Sequence, residues 1–428
     1  MVLPDSFVCY NFCMNSRPEI LIIGGGVIGV CSAYFLVQKG AQVTLIEKDE
    51  IASGCSYGNG GLIVPSHAVP LASPGALGNG LRWLFDSESP FYIKPRMDLE
   101  LIRWLTRFVI ASREAQMMKS LPVLRDLLFA SRALYEELAK NAGFDFGFEG
   151  KGSLLVCLSN ETLEKERRET HLFEHFKIPV SIVNREEALE LEPALSPKIA
   201  GGVYYPRDGR LDPHRFVVGL AEKAIELGVQ IHTKTEAMGF ESANGRITKV
   251  HTTRGEFHPN QIILAGGSWS PDVARSLNLR IPIQPAKGYS VTLENPAVTP
   301  QLPLLFSEAR VVINPLGNSL RIAGTLELAG MDFSFNSRRV RAMQKSSAEY
   351  LPGLEESKVI EIWRGLRPCT PDGLPIISRV KRFQNLIVAA GHAMLGMSLG
   401  PVTGRLISQL ALDEKTEMNI APFAVSRF

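Results

Sequence analysis

The chain has 428 residues, 45% hydrophobic and 21% charged, which places it among globular proteins long enough for two or three domains. Its 46 basic and 44 acidic residues nearly cancel, so there is no basic footprint and nucleic acid is not expected as a partner. The six cysteines form no C-x-x-C pair, so neither a metal site nor a disulfide framework is signalled, and a reducing, cytoplasmic compartment fits.

Residues 1–16 read as an unstructured extension, with Met14 an alternative start. The stretch from Ile20 to Val37 carries no charge, yet Gly24, Gly25, Gly26 and Gly29 argue against a membrane span or a signal segment. It reads instead as a strand over Ile20 to Ile23, a glycine turn, a helix over Val27 to Lys39 closed by Gly40, and a second strand over Gln42 to Glu47. From Ala52 to Gly61 the chain is small and glycine-rich, and Pro65, Pro70 and Pro74 break the segment to Gly80, so a long loop is expected over a surface or a site.

Asp98 to Lys140 is helical in pattern, with Leu101, Trp104, Leu105 and Phe108 on one stripe and Arg103, Arg107 and Arg113 off it. Such a helix packs on its own domain or makes a peripheral contact with a membrane surface. A strand over Gly152 to Leu158 and a polar helix over Asn160 to Phe176 follow. A second α/β unit comes next: a helix over Pro213 to Leu227, with proline in its first turn and Gly228 at its end, then a strand over Val229 to Thr233. Met238 to Ser242 and Arg246 to Thr252 flank Ala243-Asn244-Gly245, a hairpin signal; a short strand follows Gly255, and Gln261 to Ala265 runs into Gly266-Gly267. Tyr289 to Leu293, Ala309 to Asn314 and Leu320 to Thr325 alternate like antiparallel strands of a second sheet, followed by a helix over Ser337 to Leu351. Leu386 to Ala390 is an apolar strand ending in Gly391, before a helix that starts near Gly400-Pro401.

Gly24-Gly25-Gly26-Val27-Ile28-Gly29 is G-x-G-x-x-G between a predicted strand and a predicted helix, the setting of a dinucleotide turn. The first glycine makes the turn, the second admits the pyrophosphate, and the third lets helix and strand pack. Glu47 follows at the distance where an acid holds ribose hydroxyls. NAD and FAD share this turn, but two further strands end in glycine turns, at Ala265-Gly266 before Trp269 and at Gly391-His392. If parallel to the first, they gather at the same sheet edge and suit a long ligand, FAD. A helix N-terminus between Gly396 and Gly400 would stabilise negative charge on a reduced flavin ring.

These residues resemble the FAD-dependent D-amino acid oxidase superfamily, in particular its bacterial D-amino acid dehydrogenase branch. The resemblance covers nearly all of residues 19–428. It rests on the Gly24 turn with Glu47, Gly58-Asn59-Gly60-Gly61 with the proline loop, Leu191-Glu192-Pro193, Lys287-Gly288-Tyr289-Ser290, Trp363-Arg364-Gly365-Leu366-Arg367-Pro368 with Pro371-Asp372-Gly373, and Gly391-His392 to Gly396. It implies an α/β fold in which a Rossmann-like FAD-binding domain carries an inserted α+β substrate domain on a mainly antiparallel sheet. The FAD-binding part would comprise 17–75, 200–275 and 363–428, the substrate part 76–199 and 276–362. It also implies oxidative deamination of an amino acid: hydride leaves the α-carbon for flavin N5, and the imino acid is hydrolysed to a 2-oxo acid and ammonia. Cofactor contacts carried over with the resemblance are Lys48, Ser56, Asn59, Gly60, Gly61 and Leu62, with Ala237 near the adenine and Met397 beside Gly396.

A guanidinium clamps a carboxylate with two parallel hydrogen bonds. Arg367 stands where related amine oxidases keep that arginine; the alternative is a structural pair with an acid such as Asp372. Arg364, three residues away on a strand, points to the other face. Tyr289 is expected to touch the substrate or simply to pack, His392 to tune the flavin or to bond backbone, and His67 lies in a loop that reaches toward the pocket. Cys55 is either a flavin attachment point or a small buried thiol. Where glycine oxidases carry a second arginine and a tyrosine, this chain has Met394 and Val311, which favours a larger or cyclic side chain such as proline. The electron acceptor is expected to be a quinone or protein carrier, with a location in the cytoplasm or at the inner face of the cytoplasmic membrane. The alternatives are a D-proline or D-hydroxyproline dehydrogenase, an oxygen-using oxidase of glycine or D-amino acids, and a non-catalytic or tRNA-modifying flavoprotein of the same fold.

Overall fold

The computed structural model describes residues 19–74 and 91–428, so the expected extension at 1–16 and part of the proline loop lie outside it. A six-stranded sheet runs in the order Ile376–Val380, Phe383–Ala390, Gln261–Leu264, Glu19–Ile23, Gln42–Ile46, Gln230–His232. All its pairings are parallel except that of the edge strand Ile376–Val380. Strands of a parallel sheet covered on both faces are apolar throughout, and Ile20, Leu21 and Ile22 are accordingly all buried. The helix Val27–Gln38 is buried nearly all round, between this sheet and the helices Pro213–Glu226 and Gly396–Ala411, which accounts for its lack of charge.

The second sheet has nine strands, with Lys358–Cys369, Gln284–Glu294, Ser319–Leu328 and Val311–Leu316 side by side and antiparallel. Its other members include Leu304–Phe306, Ser153–Cys157 and Gly201–Tyr205, and Phe91–Ile93 adds a parallel edge beside Ser319–Leu328. Gln284–Glu294 is buried on both faces, so this strand is central rather than half-solvated. Gly201–Tyr205 and Lys358–Cys369 pair in this sheet, whereas the division expected from the sequence puts 200–205 and 363–369 with the FAD-binding part; strand register, not chain order, sets their place. The Asn244-Gly245 hairpin forms as expected, with both residues at positive φ (52° and 73°) as a type I′ turn requires.

Two expected helices differ. The Asp98 to Lys140 pattern is broken into Leu99–Ala111 and Glu114–Asn141: the Ser112 hydroxyl donates to Phe108 O at 2.8 Å, and Arg113 is extended. The C-terminal helix starts at Gly396, and Pro401 lies inside it. Proline has no N–H for the carbonyl of Met397, and the Tyr135 hydroxyl donates to that oxygen instead, at 2.5 Å. Among the described residues no helix is long and apolar enough to cross a membrane.

Candidate active site

The carboxyl ends of Glu19–Ile23, Gln42–Ile46, Gln261–Leu264 and Phe383–Ala390 share one edge of the parallel sheet, and a cavity of about 1340 Å³ begins there and extends to the antiparallel sheet. Pockets for drug-sized ligands run to roughly 300–1,000 Å³, so this one has room for a long cofactor and a small substrate together.

The first glycine turn forms its near wall. Gly24 has φ +119°, and a Cβ there would sit 2.5 Å from Ala265 O. A Cβ on Gly29 would sit 1.9 Å from Gly24 O, so Gly29 serves helix–strand packing and does not line the cavity. The Glu47 carboxylate accepts from Gly25 N at 2.6 Å and Asp49 N at 2.9 Å, which fixes it at the rim. Ser56 Oγ accepts from Val27 N at 2.9 Å, satisfying one orphan donor of the helix start. Gly26, Val27, Ile28 and Lys48 also line the cavity, the Lys48 ammonium lying 4.1 Å over the Trp269 ring. Asn59, Gly60 and Leu62 line it farther in, while Gly61, at φ +74°, packs against Asn314 and Leu211 instead. Ala237, Ala265 and Gly266 border one side; Gly391, His392, Gly396 and Met397 border another.

Burial holds the His392 ring neutral, with its pKa down at about 3, and its Nε2 meets the Thr403 hydroxyl at 3.0 Å rather than backbone. His67 reaches the cavity wall, its pKa lowered by burial to about 4. The Cys55 thiol donates to Leu366 O at 2.6 Å, and burial pushes its pKa up to about 11, so it is a neutral thiol.

At the far end the Arg367 guanidinium lies over Gly288, where a Cβ would fall 1.9 Å from Nη1. It donates to Thr325 O at 2.8 Å and Gly324 O at 3.5 Å, and no carboxylate pairs with it among the described residues. Asp372 is taken by Arg427, at 2.7 and 3.0 Å, so the structural pair considered for Arg367 does not form. A half-buried guanidinium lining a cavity without a counter-charge has donors free to meet an anion. Arg364, by contrast, is exposed.

Tyr289 borders the cavity, but its 1% exposed ring packs in the core against Phe335, on the strand face of its partner Arg364 rather than of Arg367; its hydroxyl accepts from Asn336 N at 3.2 Å beside Glu327, in a buried cluster with Lys287 and Arg339. Its OH is therefore turned from the cavity. Sequence reasoning missed Trp363 as a wall residue, although two glycines marked it: Cβ atoms on Gly58 and Gly365 would lie 2.0 and 1.9 Å from its ring. Thr325 was missed as well; it is a β-branched residue at φ +63° whose carbonyl receives Arg367. Two apolar clusters flank this end: Leu62, Val64, Leu305, Val312 and Leu395 on one side, Trp104, Leu328 and Leu71 on the other.

Residues 19–410 match the family described as DAO, FAD dependent oxidoreductase. The chain belongs to that family. FAD is thus the cofactor of this DAO-family enzyme, and the close-packed glycine turn, the anchored Glu47 and the size of the cavity agree with it. The D-amino acid dehydrogenase of Vibrio atlanticus (strain LGP32) is 31% identical over 419 residues, covering 96% of this chain and all of the relative (100%). The enzyme of the same name from Allorhizobium ampelinum is 30% identical, covering 96% and 98%. Among solved structures, glycine oxidase from Geobacillus kaustophilus superposes with a TM-score of 0.76 at 26% identity, covering 96% of this chain and 99% of the other. L-proline dehydrogenase from P. horikoshii, at 22% identity and TM-score 0.75 over 96% and 98%, shares the fold.

Proposed function

We propose that this oxidoreductase oxidatively deaminates a D-amino acid and passes the electrons to a quinone or another carrier. The observation that carries the reading is Arg367: a half-buried guanidinium without a carboxylate partner among the described residues, lining a cavity beside the glycine turn. The two D-amino acid dehydrogenases at about 30% identity support the D configuration.

Arg367 holds the substrate carboxylate by two parallel hydrogen bonds, with Gly324 O and Thr325 O keeping the guanidinium in one plane. FAD, held by the residues around the glycine turn, would supply the oxidation as the acceptor of hydride from the α-carbon. The chain's task is then mainly placement, since the amine must be neutral for its lone pair to push the hydride out. His67 and His392 are both neutral and place no positive charge that would compete for the carboxylate. The apolar flanks exclude water around the reacting carbon. We assign cofactor binding to the residues around the parallel sheet and substrate contact to Arg367, whereas Tyr289, expected to touch the substrate or simply to pack, packs.

The acceptor assignment draws on the helix Leu99–Ala111. Its Trp104, Leu105 and Phe108 line the cavity, while Leu99, Ile102, Val109 and Ile110 are exposed at 51% or more beside Arg103 and Arg107. That outer face suits a peripheral contact with the anionic inner face of the cytoplasmic membrane, where quinone is dissolved. Val311 and Met394, both apolar and both in the cavity wall, favour a second reading in which the substrate is a ring such as D-proline or a D-hydroxyproline.

Anaerobic mixing of the purified holoenzyme with a panel of D- and L-amino acids, hydroxyprolines included, tests the proposal. Bleaching of the flavin by D-amino acids, followed by dye reduction exceeding peroxide release in air, is the expected result. No bleaching by any amino acid would point to a non-catalytic flavoprotein. Fast peroxide release without dye reduction would make it an oxidase.

A further inference from the structure

The loop from Tyr57 to Leu62, which borders the cavity between the glycine turn and the substrate end, is held by the antiparallel sheet rather than by its own. Arg321 is buried, and its Nη1 donates to Tyr57 O at 2.9 Å and Asn59 O at 3.2 Å. Its Nε reaches Thr292 Oγ1 at 3.4 Å, and Nη2 lies 3.7 Å from Glu361 Oε2, so the head group is fixed on both sides. The loop is tight around this grip: Asn59 Oδ1 accepts from Gly61 N at 2.8 Å, and Gly58 lies flat against Trp363.

Arg321 belongs to the strand Ser319–Leu328, and three and four residues on, that strand offers Gly324 O and Thr325 O to Arg367. At about 3.3 Å of rise per residue the two grips are roughly 10 Å apart on one strand. We propose that Arg321 is a positioning residue which registers the flavin-bordering loop against the carboxylate clamp, so that one strand sets the spacing between cofactor and substrate. Arg321 touches neither; it acts through Tyr57 and Asn59. The proposal uses FAD as the cofactor of the family and does not depend on which amino acid is oxidised.

The test compares Arg321→Met and Arg321→Lys with the parent enzyme. Titration of each apoprotein with FAD should show Kd raised at least about tenfold for Met and less for Lys, which restores the charge without the forked geometry. At saturating FAD, with D-alanine and a redox dye, kcat should fall on the order of 10- to 100-fold, the range of a misplacement near 1 Å, while KM stays within about threefold. The visible flavin band should change shape as its surroundings loosen. A folded Arg321→Met enzyme with parental FAD Kd, flavin spectrum and kcat overturns the proposal, and so does a rise in KM alone. Should Arg321→Met not fold, Arg321→Gln, which keeps a donor for one of the two carbonyls, is judged by the same criteria. The FAD titration needs no substrate, so failure here and failure of the D-amino acid reading are told apart.

Discussion

The two ends of the cavity are built by opposite means. At the glycine turn, residues close in sequence do most of the work: Gly29 packs on Gly24 O and the Glu47 carboxylate accepts from Gly25 N, all within one β-α-β unit, with Ala265 closing against Gly24. At the substrate end nothing is local. Arg367 is placed by Gly288 on a neighbouring strand and by two carbonyls on the strand beyond it, through the registers Gly288↔Gly365 and Tyr289↔Gly324. On the proposed assignment, a cofactor shared by many enzymes falls to a portable unit, whereas the substrate falls to a surface that exists only once distant strands are in register.

This contrast predicts that lesions at the two ends separate cleanly. Gly29→Ala has the largest expected effect: its methyl would lie 1.9 Å from Gly24 O, and backbone cannot yield there, so the purified protein should be colourless or insoluble when absorbance at the flavin bands is measured. Arg367→Ala should leave the protein yellow but raise substrate KM steeply, since losing the charged partner of a buried carboxylate costs about 2–5 kcal/mol. An unchanged KM would remove Arg367 from the role. Gly288→Ala, whose methyl would meet Arg367 Nη1, should raise KM by a smaller factor, on the order of tenfold, with FAD affinity intact because only the flexible arginine must move. A variant of either class that altered both FAD affinity and KM alike would erase the distinction.

The last prediction concerns Asp208, a buried carboxyl outside the cavity that accepts from Ser66 N, Ser66 Oγ and Ser153 Oγ. Burial raises its pKa to about 6, against the pull of those donors. Raised above its unfolded value of about 3.9, the carboxyl contributes its full stability below that pH and loses it as pH climbs toward 6, a change of about 3 kcal/mol at most. Asp208→Asn should flatten the stability profile between pH 4 and 6; urea unfolding midpoints that fall as steeply as in the parent would refute the assignment.

The same contrast governs what could be read in advance. The Gly24 turn and Glu47 were legible because their spacing along the chain is their geometry. Arg367 was legible only through resemblance, and its companions Gly288, Trp363 and Thr325 were not assigned roles, because strand register is invisible to a reading of neighbours. The break at Ser112-Arg113 carries no glycine or proline to announce it. The start of the last helix was misplaced for the opposite reason: Pro401 looked like a first-turn proline, and only the distant Tyr135 hydroxyl explains how it is tolerated further in.

The last helix has a consequence for how the enzyme is made. A Cβ on Gly404 would lie 2.5 Å from Cys31 C, so the helix Gly396–Ala411 is pressed directly onto the dinucleotide helix, and Phe383–Ala390 completes the same sheet beside Gln261–Leu264. The N-terminal β-α-β unit is therefore completed by distant parts of the chain: Gln261–Leu264 covers its sheet edge, and Gly396–Ala411 covers a face of its helix. A chain stopped short of Gly396 would leave the apolar face of its dinucleotide helix open to solvent.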